Sequence, residues 1–365
     1  MLKDKLEGIG WVAYETLRRM VVQHPQDEFY FIFDHKPDPM FLFADNVKPV
    51  ALFPPARHQF LFVAYFEFAL PLALRCIKPD LYFSPDGYLS LCTKVPSVAQ
   101  FHDLNFEHFP NDMPKLALWH YKRYFPRYAR KANRIVTVSD FSKCDIVECY
   151  HVDPDKIDVA YNGANAIFTP IAEAKRAEIR ARYSEGKPYF MFVGSLHPRK
   201  NLVRLFKAYD LFKEQTASDI KLLIVGEKRW WTEPIRMAHE GMKHKDEVVF
   251  TGRLSAEDLH KVTASALASV YVSYFEGFGI PIVEAFRCDT PVITSNVTSM
   301  PEVAGDAALL VDPFDEQSIA DGMAMMLDEK VRAALIEKGR ERQKDFSWDK
   351  AAEAIWDCLM KVVGE

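Results

Sequence analysis

Six short apolar runs in the second half of the chain, separated by segments of helical periodicity, constrain its fold more than any other feature. They are YFMFVG (189–194), KLLIVG (221–226), EVVFTG (247–252), LASVYVS (267–273), PVITS (291–295) and AALLV (307–311). Runs this short and this continuously apolar suit strands buried on both faces, as in a parallel sheet. After the first run, Leu202, Leu205, Phe206, Tyr209 and Phe212 recur at spacings of three and four, one apolar helical face. Strand and helix in alternation predict an α/β unit with helices on both faces of the sheet. Three of the runs end in glycine (Gly194, Gly226, Gly252), which turns the chain at the carboxyl edge of the sheet. Ligands of open α/β sheets bind at that edge.

The first half has the same character. EFYFIF (28–33), DLYFS (80–84), SVAQFHD (97–103) and RIVTVS (134–139) read as strands, with helical stretches at 11–23, 59–78, 113–131 and 141–150. DVAYNGANAIFTP (158–170) reads as a last strand followed by a linker, which sets a boundary near residue 168 and predicts two α/β domains facing a cleft. The start is unusual. The GIG at 8–10 opens a helix as a glycine turn does after a first strand, yet only MLKDKLE precedes it. The expectation is that a first β-strand, encoded upstream, is missing.

Bulk properties exclude several classes. A net charge of −5 gives no global attraction to nucleic acid. The six cysteines (76, 92, 144, 149, 288, 358) lack CxxC spacing, which argues against a disulfide framework and a structural zinc. The apolar stretch FLFVAYFEFALPLAL (60–74) is short of the roughly 20 residues a membrane span needs, and Glu67 and Pro71 interrupt it. It reads as a buried helix.

Three stretches carry chemistry. In SYFEGFGIPIVEAF (273–286) a strand ends, a glycine-rich loop follows and Pro281 starts a helix. The amides of Phe278, Gly279 and Ile280 would then form an anion site at the helix start. Glu276 sits in the loop. Glu284 lies one turn into the helix, where it could bind a diol such as a ribose or merely complement the helix dipole. In VGSLHPRKNL (193–202), Arg199 and Lys200 stand at a helix start, a misplaced pair of cations unless an anion such as a diphosphate lies between them. Ordinary surface charge is the alternative. In QFHDLNFEHFP, His102 ends a strand and could meet a substrate or serve the packing alone.

These residues resemble retaining glycosyltransferases of family 4 with the GT-B fold, two Rossmann-like domains. FEGFGIPIVEAF looks like their E-x7-E signature, and GIGWVAYETL, VAQFHDLNFEHFP, RIVTVSDFSK, FVGSLHPRKNL, VVFTGRLSAEDL and PVITSNVTSMPEVAGDAALLVDP match in order and spacing over nearly the whole chain. The resemblance implies an acceptor-side domain at 1–168, a nucleotide-sugar domain at 169–345 and a terminal helix at 346–365 that crosses back to the first. Glu276 would contact the transferred sugar and Glu284 the ribose. Phe278, Gly279 and Ile280 would offer amides to sugar and phosphate, Lys200 would hold the diphosphate, and His102 would sit beside the sugar. Gly8 to Gly10 would form a glycine loop at the phosphates. Many members carry arginine directly after the strand-end glycine, where this chain has Ser195; Arg199 or Arg253 would take over that role. The family retains anomeric configuration and needs no metal or further cofactor, only a GDP- or UDP-linked donor sugar as substrate. The leaving diphosphate would itself assist the acceptor hydroxyl on the sugar's front face.

The mannosyltransferase-like branch is the best match, through GSLHPRKNL and SMPEVAGDAA, which favours GDP-mannose, with UDP- and other hexoses open, and implies a glycan or lipid-linked acceptor in cell-surface polysaccharide or lipopolysaccharide synthesis. A sugar-nucleotide epimerase and a catalytically inactive sugar-nucleotide-binding homologue are the rivals. Between Met113 and Ser139 seven Lys or Arg and no acid are interleaved with Trp119, Tyr121, Tyr124, Phe125 and Tyr128. Either a solvated helix with inward aromatics or a peripheral contact with anionic membrane answers that pattern. The expected location is cytoplasmic, at the inner membrane face in the second case.

Overall fold

The computed structural model describes residues 6, 8–56 and 59–364. The segment ahead of Gly8, to which the expected missing strand belongs, lies outside the described residues apart from Leu6. The chain forms two compact units, one comprising residues up to Asn162 together with Ser347 onward, the other Gly163–Phe346.

In the N-terminal unit every strand pairing is parallel. β1 (Phe29–Phe33) pairs with β2 (Val47–Ala51), and β3 (Tyr82–Ser84), β4 (Ser97–Phe101), β5 (Arg134–Thr137) and β6 (Ile157–Val159) form a separate four-stranded sheet in sequence order. β2 has no counterpart in the sequence reading: VKPVA contains Lys48 and Pro49, and its burial is slight. Proline is confined to edge strands because it cannot donate to a ladder on both sides. The apolar run at 60–74 is indeed helical, as Gln59–Ala64 and Leu70–Ile77 joined by a π turn. Its charged residue has a partner. The Glu67 carboxylate accepts from the amides of Leu91 at 3.0 Å and Cys92 at 3.2 Å.

The terminal helix Trp348–Val363 belongs to this unit and packs along the helix Gly8–Gln23. Ile355, Cys358, Leu359 and Val362 join Met20, Val98, Val136 and Ala160 in one core. Lys361 reaches Asp158 at 2.7 Å, and the Trp356 ring stacks on His24 at 3.7 Å. Ser347 caps the helix by accepting from the Lys350 amide.

Between β1 and β3 lies a cavity of about 910 Å³, entirely within this unit. Leu17, Met20 and Trp356 wall it on one face, and Tyr65, Phe66 and Leu70 on the other.

The C-terminal unit is built on one six-stranded parallel sheet. Its strands are β7 (Tyr189–Val193), β8 (Lys221–Val225), β9 (Val248–Gly252), β10 (Ala268–Tyr271), β11 (Val292–Ser295) and β12 (Leu309–Val311), in the spatial order β12-β11-β10-β7-β8-β9. The continuous apolar runs are buried as their pattern predicts, with all of β8, β10 and β11 inaccessible. Helix Leu202–Thr216 lays Leu202, Leu205, Phe206, Tyr209 and Phe212 into the larger core beside Phe190, Phe192 and Ile224.

Candidate functional site

The C-terminal sheet grows outward in two directions from its middle: β7 leads to β8 and β9 on one side, β10 to β11 and β12 on the other. Between β7 and β10 the winding reverses, and the loops leaving these strands diverge to open a crevice at their carboxyl ends. The two most chemically marked stretches of the sequence are the two loops that flank this point. VGSLHPRKNL leaves β7, and SYFEGFGIP leaves β10.

After β7 the chain turns at Gly194 and makes one 3-10 turn, Pro198–Lys200. His197 caps that turn, its Nδ1 accepting from the Arg199 amide at 3.3 Å. Asn201 then takes the left-handed conformation (φ 64°) before the helix Leu202–Thr216. Its side-chain amide donates to the carbonyls of Val272 at 3.0 Å and Pro313 at 2.6 Å, which ties the β7 loop to the β10 loop. The amide of Tyr274 donates to the Arg199 carbonyl at 3.0 Å, a second tie.

These ties hold Arg199 and Lys200 against Glu276. Arg199 Nη1 donates to Glu276 Oε2 at 2.5 Å and to the Phe275 carbonyl at 3.1 Å. Lys200 Nζ donates to Glu276 Oε1 at 2.5 Å and to Tyr271 Oη at 2.6 Å, and it lies 4.8 Å from the centre of the Tyr271 ring. The hydroxyl of Ser299 donates to the Glu276 carbonyl at 2.9 Å, fixing the loop from the other side. Glu276, Lys200 and Tyr271 are all buried. Burial alone would raise the Glu276 carboxyl, but the charges of Arg199 and Lys200 outweigh it and hold the group down to about 2. Burial, and then the charge of Glu276, push the Tyr271 phenol well up, so it stays neutral. Within this cluster two cations face one carboxylate.

The arrangement corrects one expectation of detail. Arg199 and Lys200 do not wait for an anion as a free pair; the loop glutamate already sits between them. Three members of the network were not singled out in the sequence: Tyr271, Asn201 and Ser299. The only signals were a tyrosine ending an otherwise apolar strand and an asparagine between a cation pair and an apolar helical face.

Glu284 is a contrast. It lies in the helix Ile280–Arg287, half-buried, and no hydrogen bond or ion pair reaches it among the described residues. Burial raises its carboxyl to about 7. Pro281 is the second residue of that helix rather than the first, and Gly279 caps it at φ 97°, a conformation that favours glycine. Phe278 is buried with its ring edge-on to Phe346 at 5.5 Å, so its side chain serves packing and only its backbone can serve a ligand. Ile280 begins the helix.

The remaining expected residues are more dispersed. Ser195 follows Gly194 and is exposed, and Arg253 is exposed just beyond β9. His102 lies in the N-terminal unit directly after β4, where it donates from Nε2 to the Pro85 carbonyl at 2.8 Å. Burial lowers its pKa, which keeps the ring neutral with Nδ1 as an acceptor. Gly8 and Gly10 are not in a loop: both lie in the first turn of the helix Gly8–Gln23, and neither has a positive φ. Gly10 packs against Leu6, whose Cδ2 would be 3.1 Å from an added Cβ.

Comparisons with known proteins converge. Residues 7–166 match the family model for Glycosyltransferase Family 4 and residues 175–342 that for Glycosyl transferases group 1. O-antigen chain mannosyltransferase B of Escherichia coli is 29% identical over 365 residues, covering 95% of this chain and 94% of the relative. O-antigen chain mannosyltransferase RfbU of Salmonella typhimurium is 31% identical over 218 residues, 60% of this chain and 57% of the relative. Among solved structures, Anabaena Alr3699/HepE in complex with UDP and glucose superposes with a TM-score of 0.77 at 15% identity, over 99% of this chain and 98% of that one. WaaG, a glycosyltransferase involved in lipopolysaccharide biosynthesis, does so with a TM-score of 0.74 at 15% identity, over 97% and 96%. At these identities the structures speak to fold alone, and the fold is GT-B, two Rossmann-like α/β units.

Proposed function

The chain belongs to the group 1 glycosyltransferases of family 4, and we propose that it transfers a hexose, mannose in particular, from a nucleoside-diphosphate sugar to a glycan or lipid-linked acceptor with retention of configuration. The observation that carries this reading is the positively charged cluster of Arg199, Lys200 and Glu276 at the point where the C-terminal sheet reverses. The mannose preference rests on the O-antigen mannosyltransferases among its relatives.

In this reading the donor diphosphate lies over Arg199 and Lys200 and is held by their charge. As the glycosidic bond breaks, negative charge grows on the departing diphosphate. Preorganised cations and amides stabilise that charge more than the ground state, which is how they accelerate the step. The amides of Phe278, Gly279 and Ile280 add the positive end of the short helix, and Ser195 and Arg253 line the same carboxyl edge. Glu276 receives hydroxyls of the transferred sugar, and Glu284, otherwise unpartnered, receives the ribose diol. His102, neutral, keeps Nδ1 as an acceptor for a substrate hydroxyl in its own unit. The departing phosphate takes the proton of the acceptor hydroxyl on the front face. The reading needs no metal, because side-chain cations and backbone amides meet the charge of the diphosphate.

Nucleoside diphosphate release from GDP-mannose, UDP-glucose and ADP-glucose tests the assignment. GDP-mannose should turn over fastest and GDP should raise Tm more than UDP or ADP. Turnover of UDP-glucose alone would reassign the donor, and release from none of the three would remove the enzyme reading. Anomeric configuration of the product by NMR tests retention.

The N-terminal unit supports work at a membrane face. On the helix Lys115–Lys131 the basic and aromatic residues divide. Phe125 and Tyr128 are buried, while Trp119 is 53% and Leu116 43% exposed beside Lys115, Lys122, Arg123, Arg127 and Arg130. An exposed tryptophan ringed by cations suits the interface of an anionic leaflet. Among the described residues no helix is long and apolar enough to cross a membrane, so the contact is peripheral, and we place it on the cytoplasmic side. Flotation with vesicles containing phosphatidylglycerol should recover the protein, and Arg123→Ser with Arg127→Ser and Trp119→Ser should lose it. Equal flotation with neutral vesicles would overturn the contact.

A further inference from the structure

We propose that His108, Asp145 and Cys149 form a binding site for a zinc ion in the N-terminal unit, built from none of the residues assigned to the donor. Their ligating atoms all lie within 4.8 Å of one another, and no other three His, Cys, Asp or Glu side chains converge in this way among the described residues.

The convergence follows from the local fold. Asp145 and Cys149 stand one turn apart on the helix Asp140–Tyr150, so both side chains leave it on one face. That helix is fixed at its start by Ser139, which accepts from the Ser142 amide, and along its length by Ile146 and Tyr150 in the core. His108 ends the short helix Asn105–His108, whose Phe106 sits in the same core. Two packed elements therefore bring an imidazole, a carboxylate and a thiol together across 37 to 41 positions of sequence. The lack of CxxC spacing carries no weight against such a site. Its single thiol is joined by a carboxylate one helical turn away and by a distant imidazole.

The distances suit an ion. His108 Nε2 and Cys149 Sγ both approach one oxygen, Asp145 Oδ1, at 2.6 and 3.5 Å, and lie 3.9 Å from each other. Around tetrahedral zinc, with bonds of about 2.0–2.3 Å, neighbouring ligand atoms stand about 3.3–3.6 Å apart. The two edges that run through sulfur already approach those lengths. Only the edge between imidazole and carboxylate must open, by about 0.7 Å, for tetrahedral zinc to enter. The ion takes the place of the hydrogens these groups now share, and those leave to solvent.

The chemistry of the set points the same way. Thiolate and carboxylate together balance the charge of a divalent ion, and the neutral imidazole adds none. A soft sulfur beside an imidazole selects zinc over magnesium or calcium. Asp145 is buried, Cys149 half-buried and His108 exposed, so the ion rests on a buried floor with its fourth position open to water. Glu107, next to His108, is engaged elsewhere: its carboxylate accepts from the Tyr150 hydroxyl at 3.3 Å and faces Lys122 at 3.6 Å. The ion ties the segment that follows β4, with His102 at its head, to the helix Asp140–Tyr150.

The full chain, stripped of metal with a chelator, is titrated with Co²⁺ and then with Zn²⁺. Cobalt should bind at about one ion per chain, with the intense visible bands of tetrahedral coordination and a thiolate charge-transfer band in the near ultraviolet. Zinc should displace it and magnesium should not. Cys149→Ser should abolish the charge-transfer band, and His108→Gln should weaken binding at least about tenfold. Cys144→Ser, which removes an exposed thiol from the same helix, should bind as the unaltered chain does. Zinc should raise Tm of the unaltered chain and of Cys144→Ser, but not of Cys149→Ser. Circular dichroism checks that each variant is folded; His108 is exposed, so its variant decides the matter should Cys149→Ser not fold. No uptake by the unaltered chain, or uptake unchanged in Cys149→Ser or His108→Gln, would overturn the proposal.

Discussion

Glu276 and Glu284 lie eight positions apart, and burial acts on the two carboxyls with opposite results because only Glu276 has cations within reach. Its folded-state value of about 2 is below that of an unfolded glutamate. Its contribution to stability is therefore full above about pH 4.5 and is lost as pH falls toward 2. Glu276→Gln should leave the unit less sensitive to acid over that window in a pH series of Tm, while transfer falls at least about a hundredfold. Glu276→Ala leaves the buried Lys200 and the half-buried Arg199 without their carboxylate, a loss of about 3 kcal/mol, so it should fail in both stability and turnover. Near-normal turnover in either variant would remove Glu276 from the site. Glu284 runs the other way. Its folded value, about 7, lies above the unfolded one, so stability is full below about pH 4.5 and declines as pH rises through 7. Glu284→Gln should stabilise the protein at pH 8, by about 1–2 kcal/mol after allowing for its partial exposure, and change little at pH 4.5. If Glu284 binds the ribose, the same variant weakens nucleoside diphosphate binding by about tenfold, the scale of one hydrogen bond to a charged group. A gain in stability without that loss would make Glu284 a structural residue only.

At the scale of elements, the glycines closing β7, β8 and β9 make the carboxyl edge. Gly194 donates to the Val225 carbonyl and Gly226 to the Gly252 carbonyl, each at 3.0 Å, so the three strand ends are laced together. A Cβ at Gly226 would stand 2.0 Å from the Gly194 carbonyl oxygen. Backbone cannot step aside as a side chain can. Gly226→Ala should therefore cost about 3 kcal/mol, read as a lower midpoint in urea with m unchanged. It should also impair transfer, since the loop it displaces carries Arg199 and Lys200. The strands of this sheet were legible because each is apolar at nearly every position, a signal that survives without knowing the neighbours. β2 was not: VKPVA is an edge strand with weak burial, and its pairing depends on where β1 lies. The first turn of the helix Gly8–Gln23 was misread as a loop, because glycines that commonly mark a turn are here carried inside helical geometry.

For the whole molecule, the terminal helix is the least local feature. Trp348–Val363 is sequentially continuous with the C-terminal unit and packs into the N-terminal one. Deleting residues 347–365 would expose Met20, Val98, Val136 and Ala160 and remove the Lys361–Asp158 and Arg19–Asp349 pairs. Limited proteolysis of the shortened chain should cut the N-terminal unit first and leave Gly163–Phe346 intact; equal resistance of both would contradict this packing. By itself the sequence determined the α/β class, the two-part organisation, the approximate place of nearly every strand and the loops that carry charge. These depend on periodicity and turn chemistry, which act over a few residues. Only the tertiary structure decided that Glu276 closes on Arg199 and Lys200, 76 to 77 positions away, that Tyr271 shares the lysine and that Glu284 is left unpaired. Those facts depend on β7 and β10 lying side by side, a long-range choice made by packing the whole sheet, and local patterning carries no record of it.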